Sequence, residues 1–339
     1  MSFNADITFA LDYELFFGKN TGTVENCLII PTNELLRTTD KYGIKYTFFV
    51  DSGYLINLKN NSSKKLQKDY QVIANHLTSL SKNGHDIQLH IHPHWEESVY
   101  SNDNWSINYN KFKLHSFSDD EIKNIVKNYK NILEDITEKP LTAYRAGGWC
   151  IQPFDKIRSA LANENIFVDS TVYSNGFSQD PVVGYDFRDA PNKDFWRFST
   201  DPLIEDTEGD FLEIPISSMN VSPLFFWKMG LIKKLDKGGY KTFSDGDPIK
   251  QHQGYYIDKL LHYTNSVVSI DGMKASLLQK SFNKLIHKDK RKIFNVIGHP
   301  KALTRYSLQM LSSFLDNNNN NNFETIGSLQ KMILSNQQT

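Results

Sequence analysis

Apolar residues recur along this chain in two alternating rhythms. Short runs rich in β-branched and aromatic residues, at 7–11, 46–50, 86–90, 141–144, 166–169, 211–214, 267–270 and 293–297, predict buried strands. Between them lie stretches with helical spacing. One helix opens at Pro31-Thr32-Asn33-Glu34 and closes near Gly43, and a polar one over 63–82 stops at Asn83-Gly84. Ser118-Asp119-Asp120-Glu121 has capping-box spacing and starts a helix to about Ile136. Further helices are expected over 154–163, 251–263, 274–287 and 304–315. Repeated strand-then-helix units imply parallel strands with crossover helices. Seven or eight of them favour an α/β fold of the distorted (β/α) barrel kind over an open doubly wound sheet. No Gly-x-Gly-x-x-Gly follows the first strand, which weakens a dinucleotide-binding alternative. With no internal repeat or linker-like break, 1–339 reads as a single domain.

Two long segments depart from the rhythm. Residues 95–117 hold Trp95, Tyr100, Trp105, Tyr109 and Phe112 among Asn and Ser, and 175–210 contain Phe195-Trp196-Arg197-Phe198 with several Pro and Gly. Aromatic content argues against disorder. These loops either form a sugar-stacking rim on the catalytic face or pack their own aromatics for stability. The Asn tract at 317–322 reads as a solvated loop before a last strand at Phe323.

Composition narrows the function classes. The chain has 339 residues, 39% apolar and 13% aromatic, ample for a large core. Lys plus Arg number 38 and Asp plus Glu 39, so no global field favours nucleic acid. Cys27 and Cys150 form neither a C-x-x-C motif nor a disulfide framework and read as buried thiols. The start at Met1 shows no basic region, apolar core or cleavage site, and no apolar run is long enough to span a bilayer. The expectation is a cytoplasmic protein.

Candidate chemistry sits at strand ends. His90-Ile91-His92-Pro93-His94 puts three imidazoles in five residues, followed by Trp95. Imidazole is a common ligand of zinc-like metals, and a catalytic site needs three protein ligands. Residues four apart on an extended strand are about 13 Å apart, so His90 and His94 converge only if the chain turns. His90 with His92 is the alternative pair, and local geometry leaves the choice open. Asp12 and Glu14 lie two apart after the first strand and share a face, where one acid can bind metal and the other take a proton. Arg145 closes another strand, before Gly147, Gly148 and Trp149. It can clamp a carboxylate, while the glycines permit close backbone approach. Asp169 and His299 each follow a buried run, and a carboxylate near His299 would keep it protonated, as a general acid must be.

Taken in order, these segments resemble the polysaccharide deacetylase superfamily, also called the NodB-homology domain or carbohydrate esterase family four. The resemblance runs from about Ile7 to Pro300. It rests on Leu11-Asp12-Tyr13-Glu14, Leu89-His90-Ile91-His92-Pro93-His94, Arg145-Ala146-Gly147-Gly148-Trp149, Asp169-Ser170-Thr171 and Ile297-Gly298-His299-Pro300. The resemblance implies a distorted barrel and one divalent metal, zinc first, with nickel, cobalt and manganese as alternatives. It implies Glu14, His90 and His94 as ligands, Asp12 as general base oriented by Arg145, and His299 as general acid tuned by Asp169. His92, Trp95, Gly147, Gly148 and Trp149 would then contact substrate. Glu14 stands where the family has Asp, Arg-Ala-Gly-Gly-Trp replaces an Arg-Pro-Pro-Tyr-like motif, and the fourth motif lacks its Trp. Such a variant resembles proteins of surface-polysaccharide biosynthesis. The implied activity is hydrolysis of an N-acyl group from an amino sugar on a nucleotide- or lipid-linked precursor. A non-catalytic sugar-binding barrel and a glycoside hydrolase using Asp12 and Glu14 are the competing readings.

Overall fold

The computed structural model describes residues 4–234, 238–249 and 253–336. Packing divides them into two compact units woven from alternating pieces of chain. One takes residues up to Ile7, then Glu14–Ile44 and Ser217–Phe323. The other takes Thr8–Tyr13, Lys45–Ile216 and the residues from Glu324.

The second unit carries a run of parallel strands: β1 (Asp6–Tyr13, from Thr8 onward), β2 (Thr47–Asp51), β3 (Asp86–Ile91), β4 (Ala143–Ala146) and β5 (Val168–Asp169). β6 (Trp196–Phe198) and β7 (Phe211–Glu213) extend it, giving the order β6-β7-β5-β4-β3-β2-β1. Only β6 runs antiparallel to its neighbour within this set. β2 is buried at every position, which is why its sequence, Thr-Phe-Phe-Val-Asp, reads as an apolar run without alternation. The helix Lys64–Lys82 packs Leu66, Ile73, Leu77 and Leu80 inward, a 3.6-residue stripe. Asp119–Thr137 begins with the expected capping box, with Ser118 Oγ accepting from Glu121 N and Glu121 returning to Ser118 N. The helix Ser52–Asn60 was not anticipated, because it follows β2 with no separating turn signal.

The aromatics of 95–117 turn inward. Trp105 and Phe112 are buried, and Val99–Ser101 pairs antiparallel with Asn104–Ser106. Segment 175–210 likewise gains structure, pairing Gly176–Ser178 with Tyr185–Phe187 and supplying β6.

The first unit contains the strand Ile293–Gly298 and an antiparallel pair, Ser218–Val221 with Thr264–Val267. The strand expected at 267–270 therefore begins earlier, and its later part survives as a parallel bridge from Ser269 to Ile297. The helix expected over 251–263 is described as Gln253–Leu261, residues 251–252 lying outside the described residues. Residues 274–287 break into Gly272–Leu277 (3-10), Leu278–Phe282 (α) and Asn283–Lys288 (π). The Asn tract is a solvated loop only in part: 319–321 turn, with Asn319 and Asn320 exposed, before the strand Asn322–Phe323. Arg305–Asn318 runs into it, and Asn318 is buried, donating to Phe314 O and Gln279 Oε1. Asn321 Oδ1 accepts from Ala5 N, and Asn322 pairs with Asp6. Asparagine carries both donors and acceptors, so here it satisfies backbone that a loop would leave to water. Cys27 and Cys150 are free and buried, and burial pushes their thiols up to about 11 and about 12.

Candidate active site

Parallel strands end at one edge, and in the second unit that edge is polar. Asp12, Asp51, His90, Arg145, Asp169 and Glu213 are the last or last-but-one residues of β1, β2, β3, β4, β5 and β7, all buried. Register aligns them: Asp51 pairs with His90, His90 with Arg145, and Asp169 with Glu213.

Arg145 organises this edge. Its Nη1 donates to Asp12 Oδ1 at 2.6 Å and to Ala10 O at 3.1 Å. Nε donates to Ser170 O at 2.7 Å, and Nη2 to Ser170 Oγ at 3.2 Å. The guanidinium lies 4.2 Å over the Phe49 ring, a weakly hydrated cation on an aromatic face. Asp12 is therefore fixed in direction, with Oδ2 turned to His90 Nε2 at 3.9 Å.

His90 Nδ1 lies 2.8 Å from the Arg145 carbonyl, which only accepts, so that nitrogen carries a proton. A backbone acceptor on Nδ1 orients the ring so that Nε2 is the nitrogen placed to ligate a metal. Of the two histidine pairings left open by the sequence, His90 and His92 bring ring nitrogens within 4.8 Å. His94 instead stacks on Phe112, with centroids 5.1 Å and planes 10° apart, and contacts His92 edge-on at 5.3 Å. Gly147 is required beside them. A Cβ there would lie 2.6 Å from both Ile91 O and His92 Nδ1. Gly148 adopts φ +62°, and a Cβ would meet Phe112 at 2.8 Å.

Trp95, expected to contact substrate, is fully buried. Its Nε1 donates to Asp51 Oδ2 at 2.6 Å, and its ring meets Tyr54 at 5.0 Å and Trp105 at 5.1 Å. It forms a wall behind the histidines. Trp149 is half-buried, against Tyr173 and Tyr185. Asp169 accepts from Thr171 Oγ1 at 2.6 Å and Thr171 N at 3.1 Å. Burial raises both Asp169 and Glu213, and the neighbouring Asp169 charge lifts Glu213 further.

In the first unit, the carboxylate against His299 is Asp271. Oδ2 lies 2.8 Å from His299 Nδ1, and Oδ1 accepts from His299 N at 2.8 Å. Burial pushes Asp271 upward, but the charge and hydrogen bonds of His299 outweigh it and hold the carboxyl below its ordinary range. Asp271 was passed over in the sequence although it directly follows an expected strand, the signal used for Asp169. Glu14 Oε1 accepts from Lys301 Nζ at 2.8 Å and lies 3.8 Å from His299 Nε2. Lys301, buried and also bound to Leu15 O at 2.6 Å, was likewise missed.

Within the second unit, the imidazoles of His90 and His92 suit a divalent cation of the zinc type, for which imidazole is an ordinary ligand.

Residues 30–152 match a protein-family model described as polysaccharide deacetylase. No curated protein matches the chain. Among solved structures, a candidate polysaccharide deacetylase from Mycobacterium smegmatis is 14% identical, with 99% of this chain and 94% of that one covered at a TM-score of 0.51. Puue allantoinase is 10% identical, covering 95% and 87%, at 0.50. The peptidoglycan deacetylase PdaC from Bacillus subtilis is 13% identical, covering 98% and 94%, at 0.40. At such identities the first two speak to the fold, which is the barrel-type α/β class expected from the sequence.

Proposed function

From the match of residues 30–152 to a polysaccharide deacetylase family model, we propose that this chain is a member of that family and a metal-dependent carbohydrate N-deacetylase. Its substrate is an N-acyl amino sugar, with acetyl as the acyl group, on a nucleotide- or lipid-linked precursor of a surface polysaccharide. The observation that carries this reading is Asp12, clamped by Arg145 and facing Nε2 of His90.

By motif, Glu14, His90 and His94 hold the metal, and His92 replaces His94 if ring-nitrogen spacing decides. Zinc is the expected ion. When bound, such a cation polarises the acyl carbonyl and makes water more acidic. Arg145 holds Asp12 by Oδ1, so its Oδ2 is left to take the proton from the attacking water. Asp271 favours the doubly protonated His299 ring, whose Nε2–H passes to the departing amine. Carboxylate and free amino sugar leave.

One observation favours a second reading, a sugar-binding barrel without turnover: Lys301 already neutralises Glu14. Metal analysis of the purified chain, with acetate release from nucleotide-linked acetamido sugars before and after chelation, separates the two. The deacetylase reading expects bound metal and chelator-sensitive release. Bound sugar with no release supports the second.

A further inference from the structure

The helix Pro223–Lys234 has no acidic residue and three lysines among Leu, Phe, Trp, Met and Ile, in a chain of net charge −1. A helix apolar on all sides belongs in a core or in lipid. The protein covers only one side of this one, through Phe226. Leu224 is 77% exposed and Leu231 61%, with exposed Trp227 between them at the spacing of a single face. The helix Gln253–Leu261 lies alongside, held where Trp227 Nε1 donates to Leu260 O at 3.0 Å. It adds exposed Tyr256 and Ile257, Leu261 at 63% and, just beyond its end, Tyr263 at 72%. So much contiguous apolar surface marks an interaction face.

We propose that this helical pair seats the protein on an anionic lipid bilayer. Charge selects the occupant. Lys228 and Lys234 are exposed among the leucines, and Asp258 is the sole acid in the two helices. Their long stems let ammonium groups reach phosphate while Leu224 and Leu231 enter the acyl boundary. Trp227, Tyr256 and Tyr263 have the half-polar rings that settle at headgroup depth. A second copy packed two-fold on the same face would set lysines against lysines, which disfavours a dimer.

The test is flotation of the full chain with vesicles of phosphatidylcholine alone or mixed with phosphatidylglycerol. The wild type rises with the mixed vesicles, stays behind with the neutral ones, and is released by high salt. Replacing Leu224, Trp227 and Leu231 together by Ser weakens partitioning about a hundredfold or more, judged from the apolar area withdrawn. Lys228→Gln with Lys234→Gln, which spares the apolar face, weakens it about twenty-fivefold, at roughly fivefold per lysine. Circular dichroism matching the wild type qualifies each variant. Failure of the wild type to float with anionic vesicles overturns the proposal, as does flotation undiminished by the lysine pair. Self-association in solution without flotation reassigns the face to a dimer and overturns it as well.

Discussion

Arg145 makes four hydrogen bonds from a fully buried position, and each nitrogen of its fork has a separate duty. Lysine has one nitrogen and cannot divide itself among Asp12, Ala10 and Ser170. Arg145→Met leaves the Asp12 carboxylate buried without its counter-ion. It should cost about 3–5 kcal/mol in urea unfolding. Asp12→Asn keeps the shape and removes the base, so deacetylation should fall about 100- to 10,000-fold while metal content holds. Loss of metal together with activity would assign Asp12 a structural duty instead. Asp271→Asn keeps the shape but removes the charge beside His299, so the alkaline limb of the rate profile should move to lower pH. An unchanged limb would exclude His299 as the acid.

Elements deliver these side chains through their ends. β2, β5 and β7 stop on an ionisable residue, and β1, β3 and β4 carry one a residue before their ends, so the strands bring four carboxylates, one guanidinium and one imidazole to an edge. The turn after β4 is tight because Gly147 passes against Ile91 O. Gly147→Ala must displace His92 or the backbone. The expected outcome is a loss of about 2 kcal/mol or more in stability, with weakened metal binding measured by titration. The Asp119–Thr137 helix depends on its capping box, and Ser118→Ala should cost about 1 kcal/mol in urea unfolding without touching the polar edge.

At the scale of the whole molecule, acid sensitivity has an identifiable source. Burial, with help from Lys45, lowers His85 to about 4, and its Nδ1 accepts from Tyr46 N, which requires the neutral ring. Because the folded value lies below the unfolded one near 6.5, this contribution is complete above pH 6.5. It is lost as pH falls toward 4. At pH 5 the loss is about 2 kcal/mol, readable as the difference between urea midpoints at pH 7 and pH 5. His85→Gln should flatten that difference, and equal slopes in both proteins would place the sensitivity elsewhere. Among the described residues no helix is long and apolar enough to cross a membrane.

What the sequence determined is what neighbouring residues determine. Strand runs, the Ser118 cap, the buried thiols and the position of each ionisable group at a strand end follow from local periodicity and turn chemistry, which need only a few residues. The family resemblance added roles by motif order. Tertiary structure alone decided the partners. It set Asp271 rather than Asp169 against His299, turned Trp95 inward onto Asp51, placed Lys301 on Glu14 and buried Asn318. Each of these contacts closes a long loop of chain, and such pairings are chosen by packing and charge after the elements exist, not by the spacing that builds them.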